Sequence, residues 1–80
     1  MNKGEIWFIE IPPLNGHEQA GTRPAVIFST SSTANTVIII PFTTNVQALR
    51  FPFTLVIEPS KENGLTDESV ALIFQIRVID

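Results

Sequence analysis

Val37-Ile38-Ile39-Ile40-Pro41-Phe42-Thr43-Thr44 decides the fold. Four consecutive β-branched residues lose side-chain freedom in a helix and pack well on a pleated sheet. No polar side chain interrupts the run, so it predicts a central strand covered on both faces. The strand then delivers two threonine hydroxyls at its end. Strand ends are where a rigid scaffold presents functional groups. A threonine-rich turn onset fits the same residues.

Working back toward the N-terminus, residues 29–36 are rich in hydroxyls. Such side chains bond their own backbone and favour turns. Pro24 to Ser29 reads as a second strand through Ala25, Val26, Ile27 and Phe28. Glu5 to Ile11 reads as a first strand, apolar on both faces, and Pro12-Pro13 ends it because proline cannot donate to a ladder. Downstream, Val46 to Arg50 is a short connection. Phe51, Phe53, Leu55 and Ile57 then alternate with Pro52, Thr54, Val56 and Glu58, which predicts a strand with one buried face. Pro52 places it at a sheet edge or at its start. Pro59 to Ser69 is polar, with Asn63-Gly64 as a turn signal. Ser69 to Ile79 is the last expected strand. Val70, Leu72, Phe74, Ile76 and Val78 make one face of it, and Gln75 and Arg77 project together from the other. No helix is expected. Five strands joined by polar turns predict an all-β barrel or highly curved antiparallel sheet.

The chain has 80 residues, enough for one small domain spanning residues 1–80. At 44% hydrophobic it builds a thin core, and domains of this size lean on efficient packing or oligomerisation. With no cysteine there is no disulfide and no thiolate metal site, and one histidine argues against a zinc cluster. A homodimer is therefore expected. No apolar leader follows Met1, and the run Val37 to Phe42 is too short to span a membrane, so the expected location is the cytoplasm. Five basic against eight acidic residues give a formal charge of −3. That argues against a broad basic nucleic-acid surface, though not against a local cationic pocket.

Between the first two expected strands lies Gly16-His17-Glu18-Gln19-Ala20-Gly21-Thr22-Arg23-Pro24. The glycines permit positive φ, and Pro24 biases Arg23 toward an extended conformation at the mouth of the next strand. A cation, an imidazole, a carboxylate and an amide within this span are parts of an anion-handling site. A polar hairpin loop is the other reading of the same residues.

Gly-His-Glu-Gln-Ala-Gly-Thr-Arg-Pro resembles the signature loop of the MazF/PemK toxins, the toxin halves of bacterial type II toxin–antitoxin pairs. Gly4-Glu5-Ile6-Trp7 resembles that family's opening strand. Pro41-Phe42-Thr43-Thr44 resembles its Pro-x-Thr-Ser/Thr motif, and Gln75-Ile76-Arg77-Val78-Ile79-Asp80 its Gln-x-Arg-x-Ile-Asp segment. The matches run through the chain in the family's order. The resemblance implies an SH3-like barrel, a homodimer, metal-independent cleavage of single-stranded RNA without a cofactor, and neutralisation by a cognate antitoxin protein. It assigns the functional arginine to Arg23 and the functional threonine to Thr43, and in some members also the positions of His17 and Glu18. Members carry a further strand and a C-terminal helix beyond the position of Asp80, so the domain is expected to be C-terminally short. Some members also carry an arginine and an aspartate where this chain has Leu72 and Phe74, so a mechanism needing that pair is not expected here.

RNA cleavage without a metal needs a base for the 2′-hydroxyl, an acid for the leaving oxygen and a cation for the developing charge. Arg23 suits the last role through its bidentate fork. Thr43 can donate to the same phosphate, and Glu18 or His17 can act as base. Glu18 alternatively forms an ion pair that holds Arg23. Gln19, Thr22, Thr44, Gln75 and Arg77 are read as RNA contacts, and Trp7 and Phe42 as either stacking surfaces or core. Arg23, Arg50 and Arg77, doubled across a dimer, would line a groove. Two other readings remain open: a binder resembling the gyrase poisons of the same fold, and an inactive truncated toxin that only binds antitoxin.

Overall fold

The computed structural model describes residues 1–11 and 21–79. Six strands form one antiparallel sheet: β1 (Ile6–Ile11), β2 (Gly21–Ser31), β3 (Thr36–Thr43), β4 (Thr54–Ile57), β5 (Ser69–Leu72) and β6 (Arg77–Ile79). The spatial order is β1-β2-β3-β5-β4, with β6 also lying against β3. The all-β expectation therefore holds, with six strands where five were expected. The sheet curves as a barrel does without closing on itself among the described residues.

β3 is central, as its β-branched run dictates. Residues 39–43 are all buried. Its side chains alternate between two apolar clusters, one on each face of the sheet. Ile39 joins Ile9, Ile11, Ala25 and Ile27, with Val37 and Ile79 packed alongside. Ile40 and Phe42 join Leu65 and Ala71, with Ile6, Val26 and Ile57 alongside. Phe42 is 2% exposed, so its ring is core and offers no stacking surface.

β2 starts earlier than its apolar run, at Gly21, whose φ of +89° suits glycine. Thr22 and Arg23 are thus strand residues. A bulge between Ile27 and Ser29 turns Phe28 out to solvent. Of the hydroxyl-rich connection expected over residues 29–36, the first three continue β2, paired with β3, and the turn is confined to residues 32–35: the Ala34 N–H donates to Ser31 Oγ at 3.2 Å, and Asn35 takes a left-handed φ of 54°. Asn63-Gly64 also turns as expected. Asn63 Oδ1 accepts from the N–H groups of Ser60 and Leu65, its Nδ2 donates to the Glu58 carbonyl, and Leu65 is thereby set into the second cluster.

Residues 51–58 and 69–79 differ from their expected form. Only Thr54–Ile57 of the first is strand. The second is broken by a 3-10 turn, Ile73–Gln75, into β5 and β6. The cause lies in the backbone. Phe53 adopts φ 57°, and its carbonyl accepts from the N–H groups of both Ile73 and Phe74, at 3.0 and 3.3 Å. The Ile73 bond continues the β4–β5 register past Thr54 and Leu72, and the Phe74 N–H bends to the same carbonyl, where β5 ends. Phe42 faces Ala71, yet Ile39, three residues back, faces Arg77, six residues on. The three surplus residues are the turn, and an odd insertion exchanges the two faces of the strand. Val70 and Leu72 are buried, while Phe74, Ile76 and Val78 are exposed. The single apolar face expected over residues 70–78 does not exist. Its first part is already covered within the chain.

Candidate active site

Arg23 sits near the start of β2, opposite Ile9 of β1, and is half-buried. Thr43 ends β3 opposite Val70 and is 6% exposed. The β2–β3 ladder closes with Ala25 opposite Pro41. Arg23 lies two residues before Ala25, and Thr43 two residues after Pro41. The period of two therefore brings both side chains to the sheet face shared by Ala25 and Pro41. Both stand beyond the last β2–β3 pair, Arg23 beside Ile9 of β1 and Thr43 beside Val70 of β5.

Thr43 Oγ1 accepts the Asn45 N–H at 3.2 Å. The hydroxyl still carries a proton to donate. Asn45 also caps a second 3-10 turn, Val46–Arg50, its Oδ1 accepting from the Gln47 N–H at 3.0 Å. That turn brings Arg50 over the Phe51 ring, 5.2 Å from its centroid. Phe51 meets Phe74 with centroids 5.7 Å apart. The result is a cleft of about 320 Å³ with Thr43 in its wall, Arg50, Phe51 and Phe74 around it, and the amides of Asn45, Gln47 and Gln75. It combines a hydroxyl, a cation and ring surface.

Gln75 belongs to the 3-10 turn and lines this cleft, whereas Arg77 belongs to β6 opposite Ile39. The strand period that paired them does not apply. Thr44 lines a separate small cleft with Phe8, Pro24 and Asp67. Thr22 is exposed opposite Glu10. His17, Glu18 and Gln19 lie outside the described residues. Reading the sequence as strands missed Asn45, Gln47, Phe51 and Phe74 as cleft residues. The available signal was Asn45, a good cap after a threonine pair. Among the described residues no group of three His, Cys, Asp or Glu side chains is placed to hold a metal ion. None of their helices is long and apolar enough to cross a membrane.

A family model for the PemK-like, MazF-like toxin of type II toxin-antitoxin systems matches residues 2–80. The protein named endoribonuclease MazF in Staphylococcus saprophyticus subsp. saprophyticus is 36% identical over 84 residues, covering all of this chain and 68% of that protein. Endoribonuclease EndoA of Bacillus subtilis is 30% identical over 83 residues, covering all of this chain and 71% of that protein. Endoribonuclease MazF of Staphylococcus epidermidis is 33% identical over 84 residues, with 68% of its length covered. The chain belongs to the PemK-like, MazF-like family of toxins from type II toxin–antitoxin systems.

Proposed function

We propose that this chain is an endoribonuclease toxin that cleaves single-stranded RNA with Arg23 and Thr43 on one phosphate. The observation that supports the reading is that each stands two residues beyond the Ala25–Pro41 pair that ends the β2–β3 ladder, the same alternation as that pair. The relatives named endoribonucleases support the reaction class. The substrate's 2′-hydroxyl loses its proton to a base, and O2′ attacks phosphorus. The P–O5′ bond breaks, the 5′ oxygen takes a proton, and a 2′,3′-cyclic phosphate remains. Arg23 grips two phosphate oxygens and stays charged at any relevant pH. Thr43 donates its hydroxyl proton to the same group. Charge on the phosphorane is thus met by protein donors, and the scheme asks for no metal. The base is Glu18 or His17, which lie outside the described residues. Phe51 and Phe74 offer ring surface to a neighbouring base, and Gln75 an amide to its edge.

The toxin works as a homodimer restrained by a cognate antitoxin. Phe8, Phe28, Phe53, Leu55 and Val78 are each more than half exposed. Apolar surface on this scale on a small chain marks an interface. The test is cleavage of a single-stranded RNA by the purified chain. Arg23→Ala lowers the rate about 100-fold or more, the scale for removing a transition-state charge stabiliser. Arg23→Lys does not fully restore it, and EDTA leaves it unchanged. No cleavage of any RNA overturns the reading in favour of a binding-only toxin fold.

A further inference from the structure

β1 is the outermost strand on its side of the sheet. Among the described residues it pairs with β2 alone. Its other edge therefore presents backbone N–H and C=O groups, a template for a further strand. A cleft of about 490 Å³ lies against the beginning of that edge. Gly4, Glu5, Ile6 and Trp7 line one side of it, and Glu62 and Asn63 the other. Ile6 and Trp7 are the first two residues of β1, and Gly4 and Glu5 lead into it, so the cleft lies where the strand begins.

The walls are fixed. The Trp7 indole N–H donates to Glu5 Oε1 at 2.9 Å, and the Asn2 N–H donates to the same oxygen at 2.8 Å. Trp7 remains 41% exposed. The bonds from Trp7 and then Asn2 hold the Glu5 carboxyl below its ordinary pKa, so it is ionised at neutral pH. Across the cleft, the backbone around Glu62 is tied by three bonds to Asn63, from Ser60, to Glu58 and from Leu65. Among the described residues no lysine or arginine lines the space. An indole face beside two carboxylates suits a cation and repels phosphate.

We propose that the open edge of β1 and this cleft receive an extended segment of a partner protein. The segment adds a strand to β1 and lays a lysine or arginine side chain against Trp7, between Glu5 and Glu62. The surface is separate from the Thr43 cleft and does not depend on the RNA reading.

Trp7 is the sole tryptophan of the chain, so its fluorescence reports the site directly. The probe is an eight-residue peptide alternating lysine and threonine. It changes Trp7 emission saturably, and added salt weakens it. Combined Glu5→Gln and Glu62→Gln weakens it about tenfold, while the amide oxygen introduced by Glu5→Gln still accepts the Trp7 and Asn2 bonds. Methylating alternate peptide amides abolishes binding, because strand addition needs those N–H groups. In the unmodified protein, hydrogen exchange slows across residues 6–11 and stays unchanged across 54–57. Equal binding by the methylated peptide, or by one with glutamate for lysine, overturns the proposal. So does the absence of any response, or displacement of the peptide by a single-stranded oligonucleotide.

Discussion

The half of the molecule built from β1, β2 and β3 and the half spanning residues 51–79 both carry alternating apolar sequence. They do different things with it. β1 and β2 stay in register over six consecutive pairs, and β2 and β3 depart from theirs only at one bulge. In the later half no ladder exceeds the four pairs between β4 and β5. Alternation dictates which side chains go inward. It does not dictate that the ladder continues, because that depends on where each backbone N–H finds its acceptor. Phe53, with its left-handed backbone, accepts the Phe74 N–H as well as the Ile73 N–H that continues the β4–β5 register, and β5 stops there. The regular half supplies Arg23 and Thr43. The irregular half folds Phe51, Phe74 and Gln75 over Thr43.

The contrast breaks first in the core. Ile39→Ala, at a fully buried position of β3, loses about 2 to 5 kcal/mol in urea unfolding. That is a large share of the roughly 5 to 15 kcal/mol typical of a whole domain. Leu55→Ala, 55% exposed on β4, loses well under half as much. Equal losses would show that the two halves are packed alike. A smaller effect of opposite sign is expected at the hinge. Phe53→Gly relieves a left-handed φ on a bulky, exposed residue and raises stability by about 1 kcal/mol. A loss there would mean that the Phe53 ring, not its backbone, holds the irregular half. Phe74→Ala removes the ring pair with Phe51 and lowers stability by about 1 kcal/mol. It also raises KM for RNA with little change in kcat.

The smallest effects are electrostatic and of opposite sign in the two halves. Glu5, in the regular half, has a lowered pKa. Its contribution is present above the ordinary carboxylate range and is lost as pH falls through its folded-state value. Glu58, in the irregular half, has a raised pKa, through the hydrogen bond it shares with Glu68 and then through their like charge. Its contribution is present at acid pH and is lost as pH rises through its folded-state value. Thermal melts between about pH 4 and pH 7 separate them. Glu5→Gln lowers Tm mainly at the upper end, and Glu58→Gln raises it there.

The central strand was legible because Val37 to Ile40 has one favourable environment. The Asn63-Gly64 turn and the hydroxyl-rich turn were legible from their side-chain chemistry. The places of Arg23 near the start of β2 and of Thr43 at the end of β3 were legible because both belong to regular strands. The aromatic cleft was not. Phe51 and Phe74 fit a strand pattern, and nothing local announces that the distant Phe53 carbonyl will capture Ile73 and Phe74. A three-residue insertion reversed the faces of Ser69 to Ile79, an outcome set by tertiary hydrogen bonds. Six strands rather than five follow from that one break.

Whether Arg23 and Thr43 act on one phosphate is tested most directly by a double-mutant cycle in kcat/KM on single-stranded RNA. The variants are Arg23→Ala, Thr43→Val and the pair together, the valine keeping the volume of a buried position. Groups that serve one transition state are strongly non-additive. The prediction is a loss of about 100-fold for Arg23→Ala, with the double variant less than about tenfold worse than the poorer single one. Losses that multiply in full would place the two residues at separate tasks and contradict the shared site.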